Sequence, residues 1–259
     1  MIVAQRRHKI KEMLLQEKSV KVADLVREFD VSEETIRRDL NQLEREGLVQ
    51  KNYGGAILID EYLMQASPVP PVQQRKFEYY EEKDAIGRKA AELVQDDQII
   101  IVDSGSTTWC VARHLKQRSR LTVVTNGINI AEEFVENEQT EIFLLGGKVV
   151  KQSMSLVGPV AEEELKKYNA DYVFMGTSGI SLRKGFMSSD IYEAEIKRAM
   201  VAAGQKVAVV ADHTKLHRQA LIAYSTFQDV DILITSSLAD PDVLSEIGKL
   251  GVQVVVCDV

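Results

Sequence analysis

The sequence has little cysteine and no long apolar run. Its two cysteines, Cys110 and Cys257, are far apart, and its four histidines show no metal-ligand spacing. Neither a disulfide framework nor a metal site is therefore expected. No apolar stretch approaches the ~20 residues of a membrane span, and Met1 leads into a charged segment instead of a signal peptide. A reduced, cytoplasmic protein with no cofactor and no membrane partner is the simplest interpretation.

Strong positive charge is also absent, because the formal net charge is −7 at pH 7. That value argues against a uniformly basic coat for nucleic acid. The charge is uneven, however: residues 1–59 hold eleven Lys or Arg and ten Asp or Glu, a balance of +1, which leaves −8 for the remainder. A nucleic-acid interface must therefore be argued from the positions of individual residues. The length of 259 residues leaves room for two domains.

The stretch VADLVREFDVSEETIRRDLNQL predicts two short helices joined by a tight turn. Apolar residues recur with helical spacing over 22–29 and again over 36–43. Ser32 can cap the second helix, and the two acids that follow it favour the positive end of the helix dipole. A helix-turn-helix of this kind places its second helix in the major groove of DNA. An ordinary solvated helix face is the alternative interpretation. The polar face of the second helix carries Ser32, Glu34, Thr35, Arg37, Arg38 and Asn41.

A preceding helix and a following hairpin complete a winged helix-turn-helix. The helix covers about residues 3–17, and the hairpin has strands near 48–51 and 56–59 around a glycine-rich turn. The wing can contact the backbone or the minor groove of DNA, although such a hairpin could also simply cover the core. We expect further DNA contacts from Arg6 and Arg7 on the first helix and from Lys51, Asn52 and Tyr53 on the wing.

Beyond residue 78 the chain alternates between short apolar runs and helices. Residues 60–78 contain prolines and little periodicity, which is typical of a linker. Strands are predicted near 99–102, 121–124, 141–145, 172–175, 206–210, 232–235 and 253–257, with helices between them. Such an order predicts a mostly parallel sheet that is covered on both faces. The predicted organisation is a winged helix-turn-helix domain (1–59), a linker (60–78) and an α/β domain (79–259).

Small, polar and cationic residues follow several of these strands. Ligands of parallel sheets bind beyond the carboxyl ends of the strands, and hydroxyl and free N–H groups at a helix start suit a phosphate. Asp103 would repel a phosphate, so we expect it to bind a sugar hydroxyl or to order its loop. Plain helix capping is the alternative for the Ser and Thr residues. The expected ligand-binding residues are Asp103, Ser104, Gly105, Ser106, Thr107, Thr108, Thr125, Asn126, Gly146, Gly147, Lys148, Gly176, Thr177, Ser178, Asp212 and Lys215.

The motifs of both parts of the chain resemble those of one known family. TIRRDL, LEREG and YGGA, within residues 3–58, are similar to the N-terminal module of the DeoR family of bacterial transcriptional regulators. DSGSTT, TNG, LGGK, GTSGI, EAEIKRAM and ADHTK resemble the DeoR-type sensor domain, which is akin to ribose-5-phosphate isomerase. The resemblance implies a phosphorylated sugar or polyol as ligand, and it places Glu195 where the isomerases keep a catalytic carboxylate. An ion pair of Glu195 with Arg198 or Lys197 along its helix is the alternative.

One departure from the isomerases decides between a regulator and an enzyme. The isomerases carry an acidic cluster after the strand that ends here at Met175, whereas this chain has Gly-Thr-Ser-Gly-Ile-Ser. Isomerisation needs a base, so we expect binding without turnover and no catalytic residue. The leading interpretation is a sequence-specific repressor that a phosphorylated sugar releases from double-stranded operator DNA, acting as a homo-oligomer, dimer or tetramer. The alternatives are a sugar-phosphate isomerase with an appended DNA-binding module and a DNA-binding scaffold without a ligand.

Overall fold

The computed structural model describes residues 3–17, 19–45, 49–52, 54–58 and 70–259. The chain forms two compact units, Met1–Ser67 and Pro68–Val259. Within the described ranges, no helix is both long and apolar enough to cross a membrane. The same residues include no group of three His, Cys, Asp or Glu side chains that could hold a metal ion.

The first unit is a winged helix-turn-helix built from three helices and one small sheet. Its elements are α1 (Val3–Glu17), β1 (Ser19–Lys21), α2 (Val22–Phe29), α3 (Glu33–Arg45), β2 (Val49–Asn52) and β3 (Gly55–Leu58). The strands pair antiparallel in the order β1-β3-β2. Leu25, Ile36 and Leu40, which lie at the predicted helical spacing, are buried. The helices therefore pack around one core with their apolar faces.

Two backbone positions shape this unit. Asp30 adopts a left-handed conformation with φ 48° at the end of α2, which Asp tolerates better than most residues. The chain can therefore turn sharply before α3. At Gly55 a Cβ atom would lie 2.1 Å from the carbonyl oxygen of Val20. Only glycine lets β3 approach β1 closely enough to pair.

The second unit centres on a seven-stranded parallel sheet. The strands of the whole unit are β4 (Ile99–Val102), β5 (Thr122–Thr125), β6 (Glu141–Leu144), β7 (Lys148–Val150), β8 (Ser155–Val157), β9 (Ala170–Gly176), β10 (Gly179–Ser181), β11 (Gly185–Ser188), β12 (Gly204–Val210), β13 (Ile222–Ser225), β14 (Ile232–Ser236) and β15 (Gln253–Cys257). Its helices are α4 (Val72–Arg75), α5 (Tyr80–Ala91), α6 (Ser106–Leu115), α7 (Ile128–Ala131), α8 (Pro159–Leu165), α9 (Ile191–Ala202) and α10 (Pro241–Lys249). The sheet order is β15-β14-β12-β9-β4-β5-β6, and every neighbouring pair is parallel.

The sheet is held by a core of aliphatic and aromatic side chains. Ile100 on β4 and Phe174 on β9 belong to this core with Ile86 of α5 and Val111 of α6, and all four are fully buried. The core fixes β4, β5, β9 and β12 side by side, so the loops after their carboxyl ends meet at one edge. The predicted fold class, a winged helix-turn-helix domain and a mostly parallel α/β domain, is confirmed.

Some features of the second unit differ from the sequence prediction. α4 lies within the predicted linker, but Val72 is fully buried and its N–H donates to the carbonyl of Gln152 at 2.7 Å. Residues 60–69 of that linker lie outside the described residues. The sequence also did not predict an antiparallel sheet, β10-β11-β13, or the hairpin β7-β8. Strands of three or four residues hold too few positions for an alternating pattern to show.

Candidate functional site

The start of α3 has the geometry of a capped recognition helix. The hydroxyl of Ser32 accepts a hydrogen bond from the N–H of Thr35 at 3.3 Å and lies 2.9 Å from the Thr35 hydroxyl. Arg37 and Arg38 project from the next turn, with side chains 59% and 75% exposed. Both guanidinium groups therefore lie at the exposed surface of the helix, where each pairs with an acid one turn earlier.

The wing is tied to this helix through one lysine. The ammonium of Lys51 on β2 donates to the side-chain oxygen of Asn41 and lies 2.9 Å from a carboxylate oxygen of Glu44. The hydrogen bond from Lys51 lowers the pKa of Glu44. Asn41 is half-buried, so it contributes to the contact between α3 and the wing. Tyr53 and the side chain of Asn52, both expected to contact DNA, lie outside the described residues.

The expectation for Arg6 needs correction. Arg6 is only 5% exposed, and its Nε donates to Asp39 Oδ2 at 2.6 Å. Arg7 donates to the other oxygen of Asp39 at 2.7 Å and keeps a side chain that is 35% exposed. A buried carboxylate such as Asp39 needs a partner charge, so Arg6 holds α1 to α3 instead of facing phosphates. Its place in one stripe with Ile10 and Leu14, at i, i+4 and i+8, is the sequence signal that indicates this.

In the second unit, Asp103 lies at the centre of the edge formed by the strand ends. It is 1% exposed, it forms an ion pair with the ammonium of Lys197, and it accepts the N–H of Gly176 at 2.9 Å. Lys197 also donates to the carbonyl of Gly176 at 2.9 Å. Burial raises the pKa of Asp103, and the contact with Lys197 offsets that rise only in part. Asp103 thus orders its loop, which is one of the two roles expected for it.

The loop between β4 and α6 is fixed by the end of β5. The N–H of Ser104 donates to the side-chain oxygen of Asn126 at 3.0 Å, and the hydroxyl of Thr125 donates to the carbonyl of Val102 at 2.6 Å. Gly105 is the N-cap residue of α6, and no side chain caps this helix. The first-turn N–H groups of α6 are therefore left for a ligand.

A group of cations lies next to this loop; we call Arg75, Lys83, Lys215 and Arg218 the cationic cluster. The ammonium groups of Lys83 and Lys215 lie 3.9 Å and 3.6 Å from a carboxylate oxygen of the fully buried Asp212. Burial lowers the pKa of both lysines, and repulsion from Arg75 lowers it further. The pKa of Arg75 is likewise lowered by burial and by Arg218. Four positive groups therefore lie close together in a partly buried region.

Sequence reasoning found only Lys215 of this cluster. Arg75 belongs to α4, inside the predicted linker, and it lies near the site because Lys83 donates to its carbonyl oxygen at 2.8 Å. Lys83 itself shares a buried helix stripe with Ile86, Gly87 and Ala90, a pattern visible in the sequence. Lys197 was missed in the same way, because it lies between Ala194 and Met200 on the buried side of α9.

Other expected ligand residues have structural partners. The hydroxyl of Thr177 lies 2.8 Å from the carbonyl of Gly179, and the N–H of Ser178 donates to the carbonyl of Met187, so both order β10 and β11. The Lys148 ammonium lies 4.9 Å from the centre of the Tyr192 ring.

The acids of α9 divide into two environments. Glu195 forms an ion pair with Arg198 at 2.9 Å, which is the alternative considered for it. Glu193, not named in the sequence analysis, is the acid of this helix that faces the site, because it raises the pKa of Asp103 and accepts a hydrogen bond from Ser155 at 3.4 Å.

Gly146 and Gly147 follow β6, and the N–H of Gly146 donates to Glu164 at 3.5 Å.

Comparison with known proteins assigns both units. The family model of the DeoR-like helix-turn-helix domain matches residues 6–62, and that of the DeoR C terminal sensor domain matches residues 78–237. The chain belongs to the DeoR family. This DeoR-family chain is a DNA-binding transcriptional regulator.

Two curated relatives match this chain over nearly its whole length. The regulator is 33% identical over 254 residues to the HTH-type transcriptional regulator GolR of Listeria innocua, covering 98% of each chain. It is 31% identical over 253 residues to the glycerol-3-phosphate regulon repressor of Escherichia coli, again covering 98% of each. A solved ribose 5-phosphate isomerase from Methanocaldococcus jannaschii is 16% identical with a TM-score of 0.39, covering 53% of this chain and 54% of that one.

Proposed function

We propose that this regulator represses a sugar or polyol utilisation operon and that a phosphorylated sugar or polyol releases it from operator DNA. Residues 1–59 bind DNA, and the second unit, Pro68–Val259, binds the effector. The observation that carries the proposal is the cationic cluster beside the β4–α6 loop. The glycerol-3-phosphate regulon named for the Escherichia coli relative is consistent with an effector of this class.

The charges in and around the cationic cluster favour a phosphate ester as the ligand. Lys83 and Lys215 share the buried Asp212, and Asp103 is committed to Lys197. Arg75 lies near Glu193 and Glu78 as well as Arg218. Burial is the main cause of the lowered pKa values of Lys83 and Lys215, and repulsion from neighbouring cations adds to it. A bound anion would stabilise the charged forms of these groups. A phosphate bound there also reaches the N-terminus of α6, where backbone N–H groups favour negative charge.

The remaining polar atoms of the site suit hydroxyl groups. Asp103 Oδ1, the hydroxyl of Thr108 and Asn129 Oδ1 are buried without a hydrogen-bond partner among the described residues. Buried polar atoms are nearly always satisfied in folded proteins. Hydroxyls of a sugar or polyol chain are donors and acceptors that can satisfy them. The effector is therefore expected to combine a phosphate end with a hydroxyl-bearing carbon chain.

The site favours binding over turnover. Proton transfer between adjacent carbons needs a carboxylate or another base within hydrogen-bond reach of the substrate. Asp103 is held by Lys197, Glu195 is held by Arg198, and Glu193 accepts a hydrogen bond from Ser155 at 3.4 Å. No carboxylate follows β9 within residues 176–181. We therefore propose that the chain is not an enzyme, and that an isomerase function is the weaker alternative.

Release from DNA requires a difference in affinity between two states. The effector can shift the protein only if it binds the DNA-free state more tightly than the DNA-bound state. Helix-turn-helix proteins commonly bind paired half-sites as symmetric oligomers. We therefore propose that this regulator acts as a homo-oligomer, a dimer or a tetramer.

Calorimetric titration of the full chain tests the effector class. The ligands are glycerol 3-phosphate and a panel of pentose and hexose phosphates, each beside its dephosphorylated form. Only phosphorylated compounds are expected to bind. Lys215→Ala should weaken binding by about tenfold or more, because a hydrogen bond to a charged group is worth ~1.5–3 kcal/mol.

Lys206→Ala is the matched control for this titration. Lys206 lies at the opposite end of β12, where it pairs with Asp231 at 2.9 Å and its side chain is 57% exposed. Effector affinity should be unchanged in this variant. Equal binding of phosphorylated and dephosphorylated compounds, or turnover of any sugar phosphate, would contradict the proposal.

A further inference from the structure

The two exposed arginines of the recognition helix are each bound to an acid of its first turn. Arg37 donates from Nε and Nη2 to one oxygen of Glu33 at 2.9 Å and 2.6 Å. Arg38 donates from Nη2 to Glu34 at 2.5 Å. All four side chains are at least 59% exposed, so these pairs form at the surface expected to meet DNA.

The position of the acids matters because of how a helix-turn-helix binds. The first turns of a recognition helix contact base edges in the major groove. Glu33 and Glu34 are the first two residues of α3, so the complex brings two carboxylates next to a surface that carries one negative charge per ~1.7 Å. An arginine that turns to a phosphate leaves its own carboxylate unpaired in that field.

A carboxylate can be accommodated in the major groove only at particular base pairs. It accepts hydrogen bonds, and the base-edge donors available there are the amino groups of cytosine and adenine. The released arginine can in turn donate to the two acceptors of guanine. A duplex with these groups in the correct register therefore satisfies all members of an acid–arginine pair, while other duplexes leave the acid unsatisfied.

We propose that Glu33 and Glu34 are specificity-determining residues of this regulator. They hold Arg37 and Arg38 when the protein is off DNA, and they make binding unfavourable on any duplex that offers no amino group to the carboxylates. Specificity then comes in part from repulsion of the wrong partner. The weak overall charge of residues 1–59, +1, makes two carboxylates a large part of the electrostatic balance of the module.

Substitution of the acids by their amides tests the proposal on the full chain. The probes are the duplex that the unmodified protein selects from a randomised pool and a scrambled duplex of the same length and base composition. In the double variant Glu33→Gln/Glu34→Gln, affinity for the scrambled duplex should rise about tenfold near 0.1 M salt, where surface charges still interact over ~10 Å. Each freed arginine should also steepen the log–log salt dependence on this duplex by about 0.9. Affinity for the selected duplex should rise much less, so the ratio of the two affinities falls.

The first unit provides a matched control in Asp24→Asn. Asp24 lies in the first turn of α2 and pairs with Arg27 at 2.5 Å, and it too is exposed. Like Glu33→Gln alone, the substitution removes one carboxylate from the first turn of a helix, but on the helix that does not enter the groove. It should change affinity for both duplexes equally and leave their ratio intact.

A charge-conserving variant separates charge from side-chain shape. Glu33→Asp keeps a carboxylate that is favoured at a helix start, and it should retain the discrimination of the unmodified protein. The proposal is wrong if the amide variants gain equally on both duplexes or on neither. It is also wrong if Asp24→Asn lowers the ratio as much, or if Glu33→Asp loses discrimination as Glu33→Gln does.

Discussion

Single buried charges decide much of the behaviour of both units. Asp39 binds Arg6 and Arg7 from another helix, and Asp103 binds Lys197 across the sheet edge. A buried ion pair adds little net stability, but the loss of one partner leaves a buried charge without compensation. These residues are therefore best tested by substituting one member of a pair and measuring the change in the free energy of unfolding.

Lys197→Met should destabilise the second unit by ~3–5 kcal/mol at neutral pH, because it leaves Asp103 buried and unpaired. A carboxyl whose pKa is raised by folding stabilises the fold below its unfolded pKa, and that contribution is lost as pH rises through the folded value. Burial already raises the pKa of Asp103, and the variant raises it further. The loss should therefore shrink as the pH is lowered, which denaturation at several pH values would measure.

Lys206→Met provides the comparison for that measurement. Its pair with Asp231 is exposed, and such surface pairs are worth ~0–1 kcal/mol. The variant should unfold almost as the unmodified protein does, without a new pH dependence. A Lys197→Met loss that is constant across pH would instead indicate lost packing of the lysine side chain.

The sequence identified site residues that follow strands and missed those on helix faces. Asp103 and Asp212 were found because each directly follows an apolar run. Lys83 and Lys197 were missed because a lysine on a helix is ordinarily solvated, and only the burial of its neighbours shows otherwise. Arg75 could not be found, since nothing in a four-residue helix after a proline segment predicts which loop it meets.

At the scale of elements, the recognition helix offers a direct test of DNA contact. Each phosphate contact by a cation contributes about 0.9 to the slope of log affinity against log salt. Arg38→Ala should therefore reduce that slope by up to about 0.9. Arg27→Ala on α2, whose side chain is 78% exposed, should leave the slope unchanged. Equal slopes for both variants would show that Arg38 contacts no phosphate on that duplex.

The wing depends on a close approach that only glycine permits. Gly55→Ala places a Cβ atom 2.1 Å from the carbonyl oxygen of Val20, so β3 must move away from β1. Overpacking of this kind costs ~1–3 kcal/mol, and DNA affinity should fall on every sequence. Hydrogen exchange of the β3 amides measures the lost pairing.

Gly248→Ala is the converse control. Nothing lies within 4 Å of the added atom, and Gly248 is inside α10. Alanine is favoured over glycine in a helix by ~1 kcal/mol, so this variant should be slightly more stable than the unmodified protein. A Gly55→Ala protein with unchanged exchange would contradict the close approach.

Long elements were predictable, and short ones were not. The regular stripes of α2 and α3 span enough positions to reveal their helical period, and β4 was recognised because all four of its residues are apolar. The three-residue strands of β7, β8 and β10 do not, and their pairing depends on partners distant in sequence. The same limit explains why the sheet was predicted as mostly parallel without its antiparallel companion.

For the whole molecule, the charge distribution separates two tasks. Residues 60–259 carry a net charge of −8. Within this acidic part of the chain, the cationic cluster brings four positive groups close together. The net negative charge of residues 60–259 disfavours non-specific contact with DNA, while the cationic cluster remains suited to a small anion. This distribution supports the proposed division, in which one unit binds DNA and the other binds a phosphate ester.

If effector and operator DNA prefer different states of one molecule, each must weaken the binding of the other by the same factor. A ligand that weakens DNA binding by a given factor has its own affinity weakened by the same factor when DNA is bound. Couplings of this kind usually lie between ~5-fold and ~150-fold. Effector affinity should therefore be measured by calorimetry with and without saturating operator duplex, and operator affinity with and without saturating effector.

The two ratios should agree within error, and the Lys215→Ala variant should need about tenfold more effector than the unmodified protein for the same release from operator. The variant should still bind operator, because Lys215 belongs to the second unit and not to the first. An effector that binds equally well in the presence and absence of operator cannot release the protein, however tightly it binds. That result would mean that the second unit binds a ligand but that this ligand does not control DNA binding.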